Sequence, residues 1–424
     1  MKKLIAMLLA CVMVLGLVAC GGNAPETTAP ADNAPETTAP VAEGPEAITL
    51  KVWAPQEDQV DATSWLCQIQ AAFEAAHPEY AITWENGVCP EGDAATMVTA
   101  DPAAAADVYM FANDHLGTLI QAGALAKLGG PFLEQVQNDV SATYVNTVTS
   151  TDGSVYGFPV APNTWFMYYN KALVGDADLT SMESILEKGV VAMEIKNSWY
   201  LPAFFFAAGG TLFGETGADA AAGVQFGGEI GVNATNAVLD LLANPNFVVD
   251  GDGFGNAGLK DGTVAAYFSG SWDYAGLYEA LGENLGAVAA PTVMMNGAPA
   301  QLKAYAGSKA VGVNPNAANP KAAMQLAAFL ASPEGQLARY ELSAITPAAT
   351  ACAENEAVKS NFVVVTESAE MAQATIAQPT IAQMASFWDP VKNFGLNILN
   401  GSITKDNVAQ AIEDTMALLN SNGL

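Results

Sequence analysis

Arginine is almost missing from this chain: among 424 residues only Arg339 carries a guanidinium. Carboxylates and phosphates are usually gripped by that planar two-pronged donor, so its scarcity argues against a receptor for anionic metabolites. A neutral or cationic ligand is expected instead. Positive charge of any kind is scarce. Fifteen basic residues face 44 acidic ones, a formal charge of −29. A surface of that sign repels nucleic acid and anionic membrane, and no nucleic-acid partner is expected. There are two histidines, His77 and His115, and neither a CxxC nor an HExxH spacing. That excludes the usual transition-metal sites, and no metal or cofactor is expected. Cysteine is sparse too: outside the first twenty residues only Cys67, Cys89 and Cys352 occur. Cys67 and Cys89 are able to pair outside the cytoplasm, or all three stay as free thiols. The one long apolar run, 4–19, is shorter than the roughly 20 residues that span a bilayer.

That run follows Lys2 and Lys3, and a basic start with a short apolar core reads as a secretory signal. It ends Leu17-Val18-Ala19-Cys20-Gly21, which resembles the lipobox of bacterial lipoproteins. The resemblance implies a signal peptide over 1–19, cleavage before Cys20 and a lipid on its thiol. The octapeptide Asn-Ala-Pro-Glu-Thr-Thr-Ala-Pro then appears twice, at 23–30 and 33–40. Such a composition buries nothing and stays extended, so 20–46 is expected to be an acylated tether. The layout is anchor, tether and globular cargo, at the cell surface on the outer face of the cytoplasmic membrane.

The remaining 378 or so residues exceed one hydrophobic core and argue for two domains. Alternating apolar residues predict strands at 48–53, 80–85, 107–111, 156–160, 165–169 and 304–313. Helices are expected between the first of these, at 63–76, 94–100 and 116–124, and later at about 180–188, 197–207, 234–243, 275–281, 320–330, 333–340, 354–359, 367–374, 381–399 and 404–420. Alternation of strand and helix implies a parallel α/β sheet, with ligands beyond the carboxyl ends of the strands.

Three motifs invite chemistry and do not sustain it. Gly253-Phe254-Gly255-Asn256-Ala257-Gly258 fits GxGxxG, but Asp250 and Asp252 flank it and 38 glycines make chance matches easy; a glycine-rich surface loop is the better reading. Asp250-Gly251-Asp252 starts like a calcium loop, yet Phe254 stands where the third oxygen ligand belongs. Ser269-Gly270-Ser271-Trp272 is not a GxSxG nucleophile turn and has no histidine near it.

Tryptophan is the positive signal. Of seven, three sit among polar neighbours, in Asn197-Ser198-Trp199-Tyr200, Gly270-Ser271-Trp272-Asp273-Tyr274 and Ser386-Phe387-Trp388-Asp389. A flat aromatic face suits the CH face of a pyranose, and adjacent amides, acids and lysines bond its hydroxyls. With these residues in view, 48–420 resembles the extracellular sugar-binding proteins of ABC importers, of the maltose/maltodextrin-binding type. The segments that carry the resemblance are 110–117 (MFANDHLG) with 121–126, 156–159 through 169–171, 207–210, 268–272 (FSGSW) and 381–388 (IAQMASFW).

The resemblance implies a two-lobed periplasmic-binding-protein-like fold of type II, with lobes joined by hinge segments crossing near 161–165, 300–305 and 348–355. The N-terminal lobe would be 47–161 plus 305–350, the C-terminal lobe 162–304 plus 351–424. It also implies ligand residues. The family's sugar-contacting Asp falls on Asp114, followed by His115 in place of Arg; the preceding aromatic falls on Phe111. The hinge-side Glu becomes Asn163. Stacking aromatics fall on Trp199, Trp272 and Trp388, a further aromatic on Tyr274, and a basic residue on Lys392. Glu57 and Asp58 lie in the first strand–helix loop, where the family places polar ligands. The implied protein is a monomeric receptor, not an enzyme, that closes on a neutral oligosaccharide, an α-glucoside by the aromatic pattern, and presents it to a permease. A surface glycan adhesin and a glycosidase remain the alternatives.

Overall fold

The computed structural model describes residues 44–421 and 423. The signal peptide, Cys20 and all of the tether before Gly44 lie outside the described residues. In the first sheet, Glu46–Ala54 alternates exposed and buried side chains and pairs in parallel with Tyr80–Val88 and Val108–Ala112. Helix Trp65–Ala76 turns Trp65, Leu66, Ile69 and Phe73 inward, a helical spacing of apolar residues. It stops at His77, because Pro78 disfavours a helical conformation in the residue before it. The sheet is completed from far along the chain by Ala304–Val313, antiparallel to Val108–Ala112, and beyond it Thr375–Ala377. Leu50, Val52, Phe73, Tyr109, Phe111 and Leu326 fill one core.

A second sheet runs in the order Leu285–Val288, Phe166–Asn170, Ala266–Ser269, Val191–Met193, Phe247–Val249. Its core gathers Trp165, Met193, Phe204, Phe226, Phe268, Tyr305, Phe387 and Phe394. Two packed α/β units around separate cores are the architecture expected of the type II fold.

The chain crosses between the cores on extended segments. Phe158 and Val160 belong to the first core, Trp165 and Met167 to the second. Ala304–Val313 crosses back within a single strand: Ala304 and Tyr305 pack in the second core, Ala310 and Val311 in the first. This passage lies a few residues after the 300–305 anticipated from sequence.

Several elements differ from the sequence reading. Helix 197–207 is shorter, Pro202–Ala207, because proline is tolerated only in a first helical turn. The expected helix 381–399 is a 3-10 turn, Ala382–Ser386, followed by helix Trp388–Leu399. The glycine motif is no loop but the start of helix Phe254–Asp261. Gly255 and Gly258 are there because a Cβ on either would strike Tyr267 or Val264. The Asp250 carboxylate accepts hydrogen bonds from the Gly251 and Gly255 amides, both 2.7 Å, so the protein's own anion fills the place a phosphate would need. All three described cysteines are free thiols, which decides the open question at Cys67 and Cys89.

Candidate functional site

The site is built on turns that follow strands. After Val108–Ala112 the chain makes a 3-10 turn, Asn113–His115. The buried Asn113 side chain accepts a hydrogen bond from the Ser308 amide at 2.9 Å, pinning this turn to the crossing strand. That fixes Asp114 and His115 at the sheet edge. His115 Nδ1 lies 3.3 Å from the Ala95 amide and accepts from it; in the neutral ring the proton is then on Nε2, which lies 3.8 Å from the Asp114 carboxylate beside the cleft. From the second sheet, Ala266–Ser269 leads into the turn Ser271–Asp273. The Asp273 carboxylate accepts from the hydroxyls of Tyr267 (2.5 Å) and Ser269 (2.6 Å), and Tyr168 donates to the Gly270 carbonyl at 3.0 Å. Gly270 cannot carry a side chain, since a Cβ would enter the Trp272 ring. The mount of Trp272 is thereby fixed.

Trp199 is set by its amide donating to Asn197 Oδ1 at 2.9 Å. Its ring lies 5.9 Å from that of Trp272, tilted by 38°. Trp388 opens helix Trp388–Leu399, with its ring edge-on to Phe387 and Tyr305. These three rings, with Asp114, His115 and Asn163, line one cleft of about 440 Å³. The cleft lies at the carboxyl ends of parallel strands, as open α/β sheets place their ligands.

Five residues implied by the resemblance lie elsewhere. Asp58 is buried against Arg339, whose Nε and Nη2 donate to its two oxygens at 3.1 and 2.7 Å; it holds the fold and offers nothing to a ligand. Phe111 is fully buried in the first core, because every residue of its strand faces apolar neighbours. Tyr274 packs on Tyr278 and Phe362 away from the cleft. Lys392 is exposed on the outer side of its helix, and Glu57 is exposed on the turn Gln56–Asp58; neither lines the cleft.

The cleft also contains Glu91, Gly92, Ala112, Asn197, Ser198 and Lys309. Asn197 and Ser198 carried a signal as the polar neighbours of Trp199. Glu91 and Lys309 carried none in local sequence, although Glu91 stands just beyond the carboxyl end of Tyr80–Val88. Burial pushes the Glu91 carboxyl up, but the charges of Lys309 and Arg339 outweigh it and hold the group below the usual glutamate range. Glu91 therefore stays an anion.

A second, larger cavity of about 590 Å³ lies around Pro162 and 346–350. Proline, alanine, valine and methionine dominate its wall and no tryptophan reaches it, so the aromatic cleft is the candidate site. Among the described residues no group of three His, Cys, Asp or Glu side chains could hold a metal ion.

A cleft walled by aromatic rings and edged by polar and charged side chains suits a polyhydroxylated ligand, and comparisons with known proteins agree in kind. Residues 68–364 match the family described as bacterial extracellular solute-binding protein. A maltooligosaccharide ABC transporter solute-binding lipoprotein of Streptococcus pneumoniae is 28% identical over 314 residues, 70% of this chain and 72% of that one. A galactooligosaccharide-binding protein of Bacillus subtilis is 26% identical over 311 residues, 67% of this chain and 70% of its own length. A solved structure described as being with acarbose is 45% identical, with a TM-score of 0.85 over 88% of this chain and 99% of that one.

Proposed function

We propose, because this chain belongs to the bacterial extracellular solute-binding protein family, that it captures a neutral oligosaccharide of the maltodextrin class between two lobes and delivers it to an ABC importer permease. The observation that carries the reading is the cleft itself: Trp199, Trp272 and Trp388 converge on it from one unit, Asp114 and His115 from the other. Flat rings take the CH faces of pyranoses, and the acid, imidazole and amide of Asp114, His115 and Asn163 take their hydroxyls. The relatives whose names specify maltooligosaccharide and galactooligosaccharide support the same ligand class. The lobes are taken as 47–161 with 305–350 and 162–304 with 351–424; the packing of Tyr305 in the second core and Ala310 in the first supports a second passage at 305–310, just inside the first of these bounds. Closure on sugar is a hinge motion that a ligand contacting both lobes favours. Cys20 is proposed as the lipid anchor and 20–46 as the tether, and the receptor acts as a monomer.

The test is a thermal-shift and calorimetry panel of maltose, maltotriose, maltopentaose and galactooligosaccharides. A ligand bound only by the folded state at a hundred times its Kd adds about 2.7 kcal/mol of stability and raises Tm. Absence of heat and of a Tm shift with every α-glucoside sinks the maltodextrin assignment. Analysis of the recovered sugar separates capture, which leaves it intact, from cleavage by a glycosidase.

A further inference from the structure

Lys309 lies on the crossing strand Ala304–Val313, where pairing with Phe158–Asn163 slips register between Lys309 and Ala310. Such irregularities re-aim side chains beside functional sites. Side chains alternate along the strand: Ser308 turns to the Thr147 hydroxyl, and Lys309 faces the cleft. Its Nζ stands 3.5 Å from Glu91 Oε2 and 5.4 Å from the centre of the Trp272 ring. One ammonium thus meets the first unit through Glu91 and the second through Trp272. Glu91 is held from behind. Its other oxygen lies 3.4 Å from Arg339, which grips Asp58 and stacks 5.1 Å over the Trp65 ring. The acceptor is fixed by a buried network, and the donor is carried by the hinge.

We propose that Lys309 and Glu91 form a donor–acceptor pair that reads two adjacent hydroxyls of the sugar ring laid against Trp272, and so set which ring the cleft accepts. This rests on the oligosaccharide reading of the cleft. A lone buried ammonium or carboxylate would be costly; paired, they remain charged without giving up all hydrogen-bonding capacity. Lys309 has three N–H groups and, among the described residues, one carboxylate partner at a long 3.5 Å. Glu91, ionised, only accepts. A vicinal diol supplies what both lack: one hydroxyl donates to Glu91 and its neighbour accepts from Lys309. A ring with one of those hydroxyls missing leaves a buried charge unsatisfied, which makes the pair selective rather than merely adhesive.

The experiment is calorimetry of maltotriose and a set of its monodeoxy analogues with the full chain, its Lys309→Met and Lys309→Arg variants. Methionine keeps the apolar stem that packs in the wall. Lys309→Met is expected to bind maltotriose roughly tenfold to hundredfold more weakly, as loss of a charged hydrogen bond implies. Lys309→Arg restores much of the affinity. At least one deoxy analogue that the wild type rejects is bound by Lys309→Met as well as the parent sugar. Affinity within threefold of wild type in Lys309→Met overturns the pair, and so does an equal loss for every analogue, which would mean that Lys309 only positions Trp272. A wild type that binds no sugar at all overturns the oligosaccharide reading as well, and that failure is seen before any variant is compared.

Discussion

Trp272 is the one tryptophan whose position packing does not explain. Trp65 and Trp165 are core residues, and Trp53, Trp84, Trp199 and Trp388 each lean on a core. Trp272 touches neither core; its neighbours are Trp199, Lys309 and its own turn. Replacing it by alanine should weaken oligosaccharide binding by about 1–3 kcal/mol with almost no change in Tm; calorimetry and a melt on the same sample check both. An unchanged affinity removes Trp272 from the site. The polar company of Trp199, Trp272 and Trp388 was legible in sequence, because a wall residue needs polar neighbours within its own turn. The burial of Asp58 was not. Its partner Arg339 lies 281 residues away, and nothing local distinguishes a carboxylate that meets solvent from one that meets a distant guanidinium. Phe111 failed for a related reason: the resemblance places it beside the site, but both faces of its strand are covered and its ring is buried in the first core.

At the scale of elements, Leu116–Gln121 packs on the segment before Trp388. A Cβ at Gly117 would enter the backbone of Ile381 and Ala382. Leu116 and Leu119 belong to one core, Ile381 and Met384 to the other, so this is a contact between units beside Asp114. Gly117→Val should keep them apart and weaken ligand binding by about 1–3 kcal/mol, the usual cost of overpacking. Calorimetry measures the loss, and small-angle scattering should show a ligand-bound variant less compact than the ligand-bound wild type. The long elements were readable from pattern: Pro320–Leu330 and Ala304–Val313 fall where the sequence placed them. Val191–Met193, Phe247–Val249 and Leu285–Val288 did not announce themselves, since a strand of three or four residues is too short to show a period. Helices Gly130–Asp139 and Ala142–Thr147 were missed too. Each is rich in residues that serve loops as well as helices, and only packing settles the choice.

For the whole molecule, pH is the informative variable. Helix Phe362–Gln373 buries two carboxyls. Burial pushes Glu367 up to about 7, despite the hydrogen bond from the Ser271 hydroxyl, and Glu370 up to about 8, despite one from the Ala290 amide. The groups facing Glu367 are the Ser271 hydroxyl and the Lys309 charge; Glu370 faces the Ala290 amide at 2.6 Å. Both carboxyls hold protons in the folded state that the unfolded chain has released. Their contribution to stability is full below pH about 4.5 and is lost as pH rises to 7–8. The depressed Glu91 acts in the opposite sense but below about 4.5, outside that window. Tm is expected to fall between pH 5 and pH 8, by a few kcal/mol in free energy. Glu370→Gln, which imitates the protonated form, should flatten the curve and melt higher than wild type at pH 8 while matching it at pH 5. A wild-type Tm that rises across this interval refutes the assignment.

Composition and pattern alone showed the style of the fold and pointed to the class of ligand proposed. One arginine and a strong negative charge disfavour anions, polar-flanked tryptophans favour sugar, and alternating strands and helices require α/β layers. These are local or summed properties, and a linear chain displays them directly. Tertiary structure decided which residues share the cleft and which are spent on the core. Glu91, Lys309, Arg339 and Asp58 form one chain of charges although they are scattered from the first strand–helix turn to a helix near residue 340. The physical reason is that a charge is read by what surrounds it in space, and that neighbourhood exists only after the strand Ala304–Val313 has returned to complete the first sheet.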